Sequence, residues 1–533
     1  MSYTIKEGCV VCDSCLPVCP NEAIKPDAKG GRYWIDPTLC DRCKHLKVPR
    51  CVSVCNIGSL APLPPKKGRC KSTLLPAAIP EILLNGKTTP FASSMVVWET
   101  CNILAQRHTL PWQTDTEGHF CYHRPVHRGR GEMRFRLATA PDTDTPLPMT
   151  MEEGKEAIHH FDIRATCIHL IFAAYALTVA CPWEETFVLN DQHIEQYLGL
   201  DKRKDLTKLE KLTWIKDWVY QACQILVAVD WPRQGKVTSF TLAEHRVWHL
   251  LDTEYYFEED SQGCRHLIGL GFTVRAGIWT QRFLNKQKYR HQTAFYQYGT
   301  LPQSVLAEVL SSWQQHEGAM RLMLWLLFKL RLGGDHRMTV RTLLRIAYGE
   351  ERLVEATTVR GAHKRLLKTF ENDLETLYYY GLKPLFDPET YPPDIQPLWT
   401  RVADIPDDAD AALEFWADDA NRALSLTDTA PRDKWKRLLN ARLLGVEMPE
   451  EWQRSTSKTS VKRRHRQTQA KKNNQPAQLS GSDIKAARQQ KQLTQRTLAE
   501  RLGKSQSWIR DVEKGRFNMN VDDQALLRQV LEM

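Results

Sequence analysis

Cys9-Val10-Val11-Cys12-Asp13-Ser14-Cys15-Leu16-Pro17-Val18-Cys19-Pro20 stands near the start of this 533-residue chain, and Cys40-Asp41-Arg42-Cys43 and Cys51-Val52-Ser53-Val54-Cys55 follow it. The first run is spaced C-x2-C-x2-C-x3-C-P, the second C-x2-C-x7-C-x3-C. Thiolates at C-x2-C-x2-C place three soft ligands around one cubane face from a single loop, and the fourth ligand must come from elsewhere. Eight cysteines in two sets of four therefore read as the ligands of two [4Fe–4S] clusters. The bland alternative is a zinc module, whose four-cysteine sites also begin with a C-x2-C pair. The first run, closed by Pro20, has the bacterial iron–sulfur spacing and argues against zinc.

In two-cluster ferredoxins the remote cysteine of each set serves the other cluster. That rule assigns Cys9, Cys12, Cys15 and Cys55 to one cluster, and Cys40, Cys43, Cys51 and Cys19 to the other. Short strands around Tyr3–Ile5 and Tyr33–Ile35 precede the two sets, so residues 1–65 read as a ferredoxin-like domain. Two features depart from the pattern. Seven residues separate Cys43 from Cys51, and Asn56 stands where a proline is expected. Residues 1–70 carry eleven Lys and Arg against six Asp and Glu. Small soluble electron carriers are usually acidic. A basic one argues for contact with an acidic surface, the alternative being a solvated face without a partner.

Length predicts three or four domains. Hydrophobic residues at 42% and charged residues at 26% are ordinary globular composition. The formal charge of +10 favours polyanionic partners, although two oxidised clusters with their thiolates would subtract roughly four charges. Met1 to Gly8 has no apolar signal core, and the cysteine spacings are metal-ligand spacings, not a disulfide framework. Cys70, Cys101, Cys121, Cys167, Cys181, Cys223 and Cys264 remain, scattered and odd in number, and read as mostly buried thiols of a reducing cytoplasm. The longest apolar run, Ile168 to Cys181, is too short for a bilayer span and reads as a buried helix.

The fold class expected is multidomain α+β, with a largely helical middle region between the two ends. Residues 66–160 read as a linker and β-hairpin region, with His119–His123 and Glu132–Arg136 flanking the turn 128–131. His119, Cys121, His123 and His127 permit a metal site there, although a structural hairpin explains them as well. Residues 161–300 show three helical patterns, Ile163–Cys181, a short helix capped at Asn190, and Leu206–Val219. The hairpin Ile225–Trp231 and Val237–Leu242 follows, and the whole has the order of a winged helix. A second winged-helix-like domain covers 301–453, with helices over Met320–Leu330, from Thr339 onward, and over Leu366–Leu377. Residues 454–480 hold eight Lys and Arg and no acid, and read as a basic flexible linker that attracts phosphate without sequence preference.

Residues 481–533 carry a helix-turn-helix. Gln495 opens it, Leu498, Leu502, Ile509 and Val512 are its core positions, Ala499 lets the helices cross, and Gly503 supplies the turn. Leu493-Thr494-Gln495 before it and Glu513-Lys514-Gly515 after it make it resemble the Cro/cI phage-repressor family. In that family the N-terminal end of the second helix enters the major groove of double-stranded DNA. Here that end is Ser505, Gln506 and Ser507, with Arg510 a turn later. Gln506 suits adenine, Arg510 suits guanine or phosphate, and Gln495 is placed for the phosphate backbone.

A ferredoxin-like N-terminus joined to a Cro/cI-type C-terminus resembles the CnfR/PatB-type regulators of cyanobacteria. That resemblance implies a transcriptional activator of nitrogen-fixation genes that works when oxygen is low. It implies promoter DNA as partner, with RNA polymerase and a second copy of the chain as further candidates. No Rossmann glycine fingerprint or flavin motif is present, and the chain does not read as an enzyme. Two other readings remain: a ferredoxin-type electron-transfer protein, and a replication initiator with an iron–sulfur sensor, suggested by the paired winged helices.

Overall fold

The structure, a computed structural model, describes residues 2–26, 32–37, 39–43, 45–63, 88–140, 146–259, 265–330, 336–402, 405–406, 408–421, 431–449, 452, 479–514, 516, 519 and 521–532. The linker expected at 454–480, apart from its last two residues, lies outside them, as do Cys70 and Cys264. The chain forms two compact units, residues 1–395 with 431–455, and residues 396–430 with 456–533.

The first unit begins with the cysteine-bearing module. β1 (Ser2–Ile5) pairs antiparallel with β4 (Leu60–Leu63), and β2 (Ile24–Pro26) pairs with β3 (Tyr33–Ile35). The strands expected before each cysteine set are present. The cluster they pack together is small: Ile5, Ala23, Ile24, Ile35 and Leu60, with Cys15 and Cys51. A core of this size is marginal without a bound group to close it.

β5 (Thr88–Ala92) and α1 (Met95–Gln106) lead into a five-stranded sheet. It contains β6 (Gln113–Thr114), β7 (Phe120–Val126), β8 (Gly131–Leu137), β10 (Ile225–Trp231) and β11 (Phe240–Arg246), in the order β11-β10-β8-β7-β6. Both expected hairpins exist, with Tyr122 opposite Phe135 in the first. They also pair with each other, Val227 standing opposite Phe135. One sheet therefore spans the boundary expected at residues 160–161, and its second hairpin is not the wing of a three-helix unit. Ile225, Val227 and Val229 are buried along with Met133, Phe135 and Leu137, which a free wing would leave exposed.

The strands that close on the three helices come later. α2 (Ala165–Tyr175) is buried along its whole length and ends short of Cys181, where turns take over. β9 (Thr186–Asn190) follows, then α3 (Asp191–Leu198), whose first turn is capped by Asn190 accepting from the His193 N–H at 2.9 Å. α4 (Lys208–Cys223) comes next. β12 (Trp248–Glu259) and β13 (Arg265–Ala276) then form a long hairpin, and β13 pairs with β9, Phe272 opposite Leu189. β14 (Tyr298–Pro302) pairs back onto β5.

The same order recurs downstream. α5 (Glu317–Lys329), β15 (Met338–Thr339), α6 (Val340–Thr358), α7 (Ala362–Tyr379), β16 (Lys383–Phe386) and β17 (Arg442–Glu447) come in that order, with further helices between the last two strands. Their sheet is ordered β15-β17-β16, as the first is ordered β9-β13-β12. In both repeats the strand after the first helix pairs with the last strand. Thr339 caps α6, as its sequence predicts, and Gly349 at φ 84° breaks that helix midway.

A fully buried histidine ties α1 and α2 to β12. His169 Nε2 donates to the Val97 carbonyl at 2.9 Å, and its Nδ1 accepts from Trp248 Nε1 at 2.8 Å. Burial pushes its pKa from 6.5 down to about 4, so the neutral ring is the folded form. A depressed folded pKa means stability that is complete above pH 6.5 and is lost as pH falls toward 4, because the unfolded chain binds the proton first. We expect about 3 kcal/mol of stability to disappear across that interval. Denaturant titrations of wild type and His169→Asn at pH 7 and pH 5 check this, and an equal pH dependence in both proteins would contradict it.

The second unit holds α8 (Gly481–Gln490), α9 (Gln495–Leu502), α10 (Gln506–Glu513) and α11 (Val521–Leu531). Leu498, Leu502, Ile509 and Val512 are buried together with Ala499, Ile484, Leu527 and Leu531, so the sequence assigns this core correctly. Gly503 at φ 64° makes the turn between α9 and α10. Gly481 is required for close approach: a Cβ there would lie 2.4 Å from the Val512 carbonyl oxygen. No described helix of the chain is long and apolar enough to cross a membrane.

Candidate iron–sulfur and DNA-reading sites

The two C-x2-C loops are wrapped by backbone that few side chains tolerate. Val11, Asp13, Arg42 and Cys43 have φ of 56°, 61°, 62° and 48°. Left-handed conformations at non-glycine residues persist where the surroundings over-determine them, typically around a bound group. Within these loops burial pushes the Cys15 thiol up, and the neighbouring charges of Cys9, Cys12 and Cys55 act in the same direction. Burial pushes Cys51 up to about 11, with Cys40, Cys19 and Cys43 adding to it. The thiols thus gather into two groups of four, Cys9, Cys12, Cys15 and Cys55, and Cys19, Cys40, Cys43 and Cys51. The last cysteine of each run joins the other run's group.

This donor set fits two iron–sulfur clusters. Eight soft sulfur atoms in two fours, without carboxylate or imidazole among them, select iron–sulfur or zinc chemistry. Thiols raised by burial are protonated at neutral pH when bare, and ligation by a cationic core is what holds them as thiolates. The Ala23 N–H donates to Cys19 Sγ at 3.3 Å, a contact of the kind that tunes a cluster's sulfur ligands.

His123 and His127 of the histidine-rich hairpin are engaged internally. His123 bonds Glu132 through Nδ1 and Cys121 Sγ through Nε2, the latter at 3.3 Å. His119, Asp115 and Glu117 lie within mutual reach, but the Arg136 guanidinium donates to Asp115 and, at 3.1 Å, to Glu117. A protein cation already occupies the position a metal would need. His127 packs edge-on against Trp231.

In the C-terminal unit, Ser505 caps α10 by accepting from the Trp508 N–H at 3.2 Å, and its hydroxyl lies 3.0 Å from that of Ser507. Gln506 is exposed at the first position of the helix. Arg510, one turn on, lies 3.8 Å from Asp511 and stays partly exposed. Trp508 packs against the core beneath the Lys504 ammonium, 5.2 Å from the ring centre. Gln495, expected at the phosphate backbone, makes a contact within the domain. Its amide donates to Glu513 Oε2 at 2.8 Å, and Glu513 is held by Arg488 through Nε at 2.6 Å. Its side chain clamps the helices.

A helix-turn-helix family model matches residues 484–523. An uncharacterized ferredoxin-like protein of Haemophilus influenzae is 47% identical over 58 residues, 11% of this chain and 65% of its own length. This chain therefore spans just under two thirds of that relative. A ferredoxin-like protein in nif region of Bradyrhizobium diazoefficiens is 37% identical over 54 residues, 10% of this chain and 70% of its own length. Ferredoxin-3 of Chlorobaculum tepidum is 41% identical over 56 residues, 10% of this chain and 87% of its own length. Domains 2 and 3 of RctB align with 53% of this chain and 84% of theirs, at 14% identity and a TM-score of 0.28.

Proposed function

Because this chain belongs through its N-terminal module to the ferredoxins, we propose that it is an iron–sulfur regulator that activates transcription when oxygen is low, nitrogen-fixation genes being its target class. The observation that carries this reading is the joining of the four-plus-four thiol module and a helix-turn-helix in one chain. Cys9, Cys12, Cys15 and Cys55 hold one [4Fe–4S] cluster, and Cys19, Cys40, Cys43 and Cys51 hold the other. The clusters supply oxygen-labile redox chemistry and much of the module's folding energy. The relative described as lying in a nif region supports the choice of target. The two repeats of helix, strand, helix, helix, strand, strand are tandem winged helices. Promoter DNA is the direct partner, RNA polymerase and a second copy of the chain are further ones, and the setting is the reducing cytoplasm. The chain acts by binding, without turnover.

On the DNA, α10 enters the major groove by its N-terminal end, Gln506 and Arg510 reading base edges. Ser505 and Ser507 shape that end and meet the backbone. Purification under anoxia followed by promoter binding, before and after exposure to air, tests the whole reading. A protein without iron and sulfide under strict anoxia would sink it. Gln506→Ala and Arg510→Ala should each cost about 1–3 kcal/mol of discrimination while leaving affinity for random DNA nearly unchanged. Equal losses on promoter and random DNA would remove α10 from this role.

A further inference from the structure

Asp36, directly after β3, is fully buried, and the groups that hold its carboxylate belong to another part of the first unit. Its Oδ2 accepts from Lys216 Nζ at 2.8 Å and from the Tyr255 hydroxyl at 3.5 Å. Lys216 lies in α4 and Tyr255 in β12. The Lys216 ammonium also sits over the rings of Tyr220 and Tyr255, 5.3 and 5.2 Å from their centres. Trp34, on the same face of the extended strand as Asp36, packs against Tyr255 and Phe257 with ring centres 4.7 and 5.0 Å apart.

The segment that makes this contact is also bonded to the cysteine groups. The Asp36 N–H donates to the Ala23 carbonyl at 2.7 Å, and the Ala23 N–H donates to Cys19 Sγ. The Asp36 carbonyl accepts from the Cys40 N–H at 3.0 Å. Asp36 is thus bracketed by two members of the second thiol group. Tyr33, three residues earlier, donates to Asp13 Oδ1 at 2.6 Å in the first cysteine loop.

We propose that α4 and β12 form the receptor surface for the iron–sulfur module, and that loss of the second cluster releases the module from it. The proposal rests on the reading that the eight cysteines hold clusters. Without that cluster, Cys19 and Cys40 no longer fix the backbone on either side of Asp36, and the carboxylate leaves Lys216. The surface then uncovered carries a lysine among Tyr220, Tyr255 and Phe257. α4 is the third helix of the first winged-helix repeat. Its other side is covered where the Arg164 guanidinium lies over Trp214 and Trp218. Closed on both sides, α4 serves as a dock, and groove reading stays with α10. Coupling of this kind is reciprocal: a weakened dock must also hold the clusters less well.

The test uses the full-length protein loaded with clusters under anoxia, with hydrogen exchange followed over residues 208–223 and 248–259. Iron chelation should raise exchange in both segments by about fivefold or more. Lys216→Met should show the raised exchange with clusters still bound, and its visible iron–sulfur absorption should bleach several-fold faster in air. Trp34→Ala, on the module side, should do the same, and serves where Lys216→Met does not fold. Exchange unmoved by chelation, or both variants exchanging and bleaching like wild type, overturns the dock. Iron and sulfide content is measured separately. A protein without iron refutes the cluster reading, while raised exchange in the two variants would still establish the dock.

Discussion

Cys43→Ser is expected to empty the second thiol group and abolish promoter activation under anoxia. Iron content should fall to about half or less, since one of two clusters loses a ligand that a hydroxyl does not replace. The effect should extend beyond that cluster. The module buries few apolar residues, and a bound metal group in a domain this small contributes on the order of 10 kcal/mol to folding. Its loss exceeds the whole stability of the module, which should become protease-sensitive. Cys181→Ser is the control, because Cys181 lies outside both groups and is half-buried in the middle region. Anaerobic iron and sulfide assays with a reporter gene read the outcome. Unchanged activation in Cys43→Ser, with its oxygen response intact, would make the clusters bystanders.

Arg488→Ala should be nearly as damaging at the other end of the chain. Arg488 and Glu513 are 12% and 3% exposed, and the arginine also donates to the Leu493 carbonyl at 2.7 Å. With Gln495 bonded to the same carboxylate, the cluster joins α8, α9 and α10. Removing the guanidinium leaves a buried carboxylate with one neutral donor, at a cost of roughly 3–5 kcal/mol. A core of this size supplies about 3–5 kcal/mol in all, so the helix-turn-helix should unfold at room temperature and every mode of DNA binding should fail. Glu513→Gln, which keeps the shape and hydrogen bonds to Gln495, should cost less. Thermal melts followed by circular dichroism on the isolated C-terminal unit, alongside DNA binding by the whole protein, distinguish this from the Gln506 and Arg510 effects. A variant that melts like wild type would show that the clamp is dispensable.

The two ends of the chain were legible because their rules are local. Cysteine spacing fixes which thiols can meet within one loop, and Gly503, Ala499 and the leucines of α9 state their steric role within twenty residues. The crosswise thiol groups follow from the rule of two-cluster ferredoxins, in which the remote cysteine of each set serves the other cluster. The middle hid its pairings. The hairpin Ile225–Trp231 with Phe240–Arg246 directly follows a helix and looks like a wing, yet it pairs with β8 of the preceding hairpin, and no local signal joins the two hairpins. The strands that close the first repeat are interrupted by Gly269 and Gly271, which weaken a strand pattern in sequence. In the fold these glycines pass close to Asp191, Glu254 and Tyr256. Gln495 is expected at the DNA from its position, and the burial of Glu513, to which its amide donates, has no local mark in the sequence. Nothing near Asp36 announces a lysine 180 positions away.

The seating of Trp34 and Asp36 on α4 and β12 also sets an order of assembly. All eight cysteines of the two thiol groups are synthesised before residue 56, while the proposed dock is incomplete until Phe257 has been made. At about 5–20 residues per second, a ribosome needs on the order of 10–40 seconds to cover that interval. During that time the nascent module stands ahead of its seat with both ligand sets in place. On the proposed reading, an iron–sulfur donor would reach it before the middle region closes over one face, so maturation is expected while the chain is still being translated, and a pause before β12 would lengthen the opportunity.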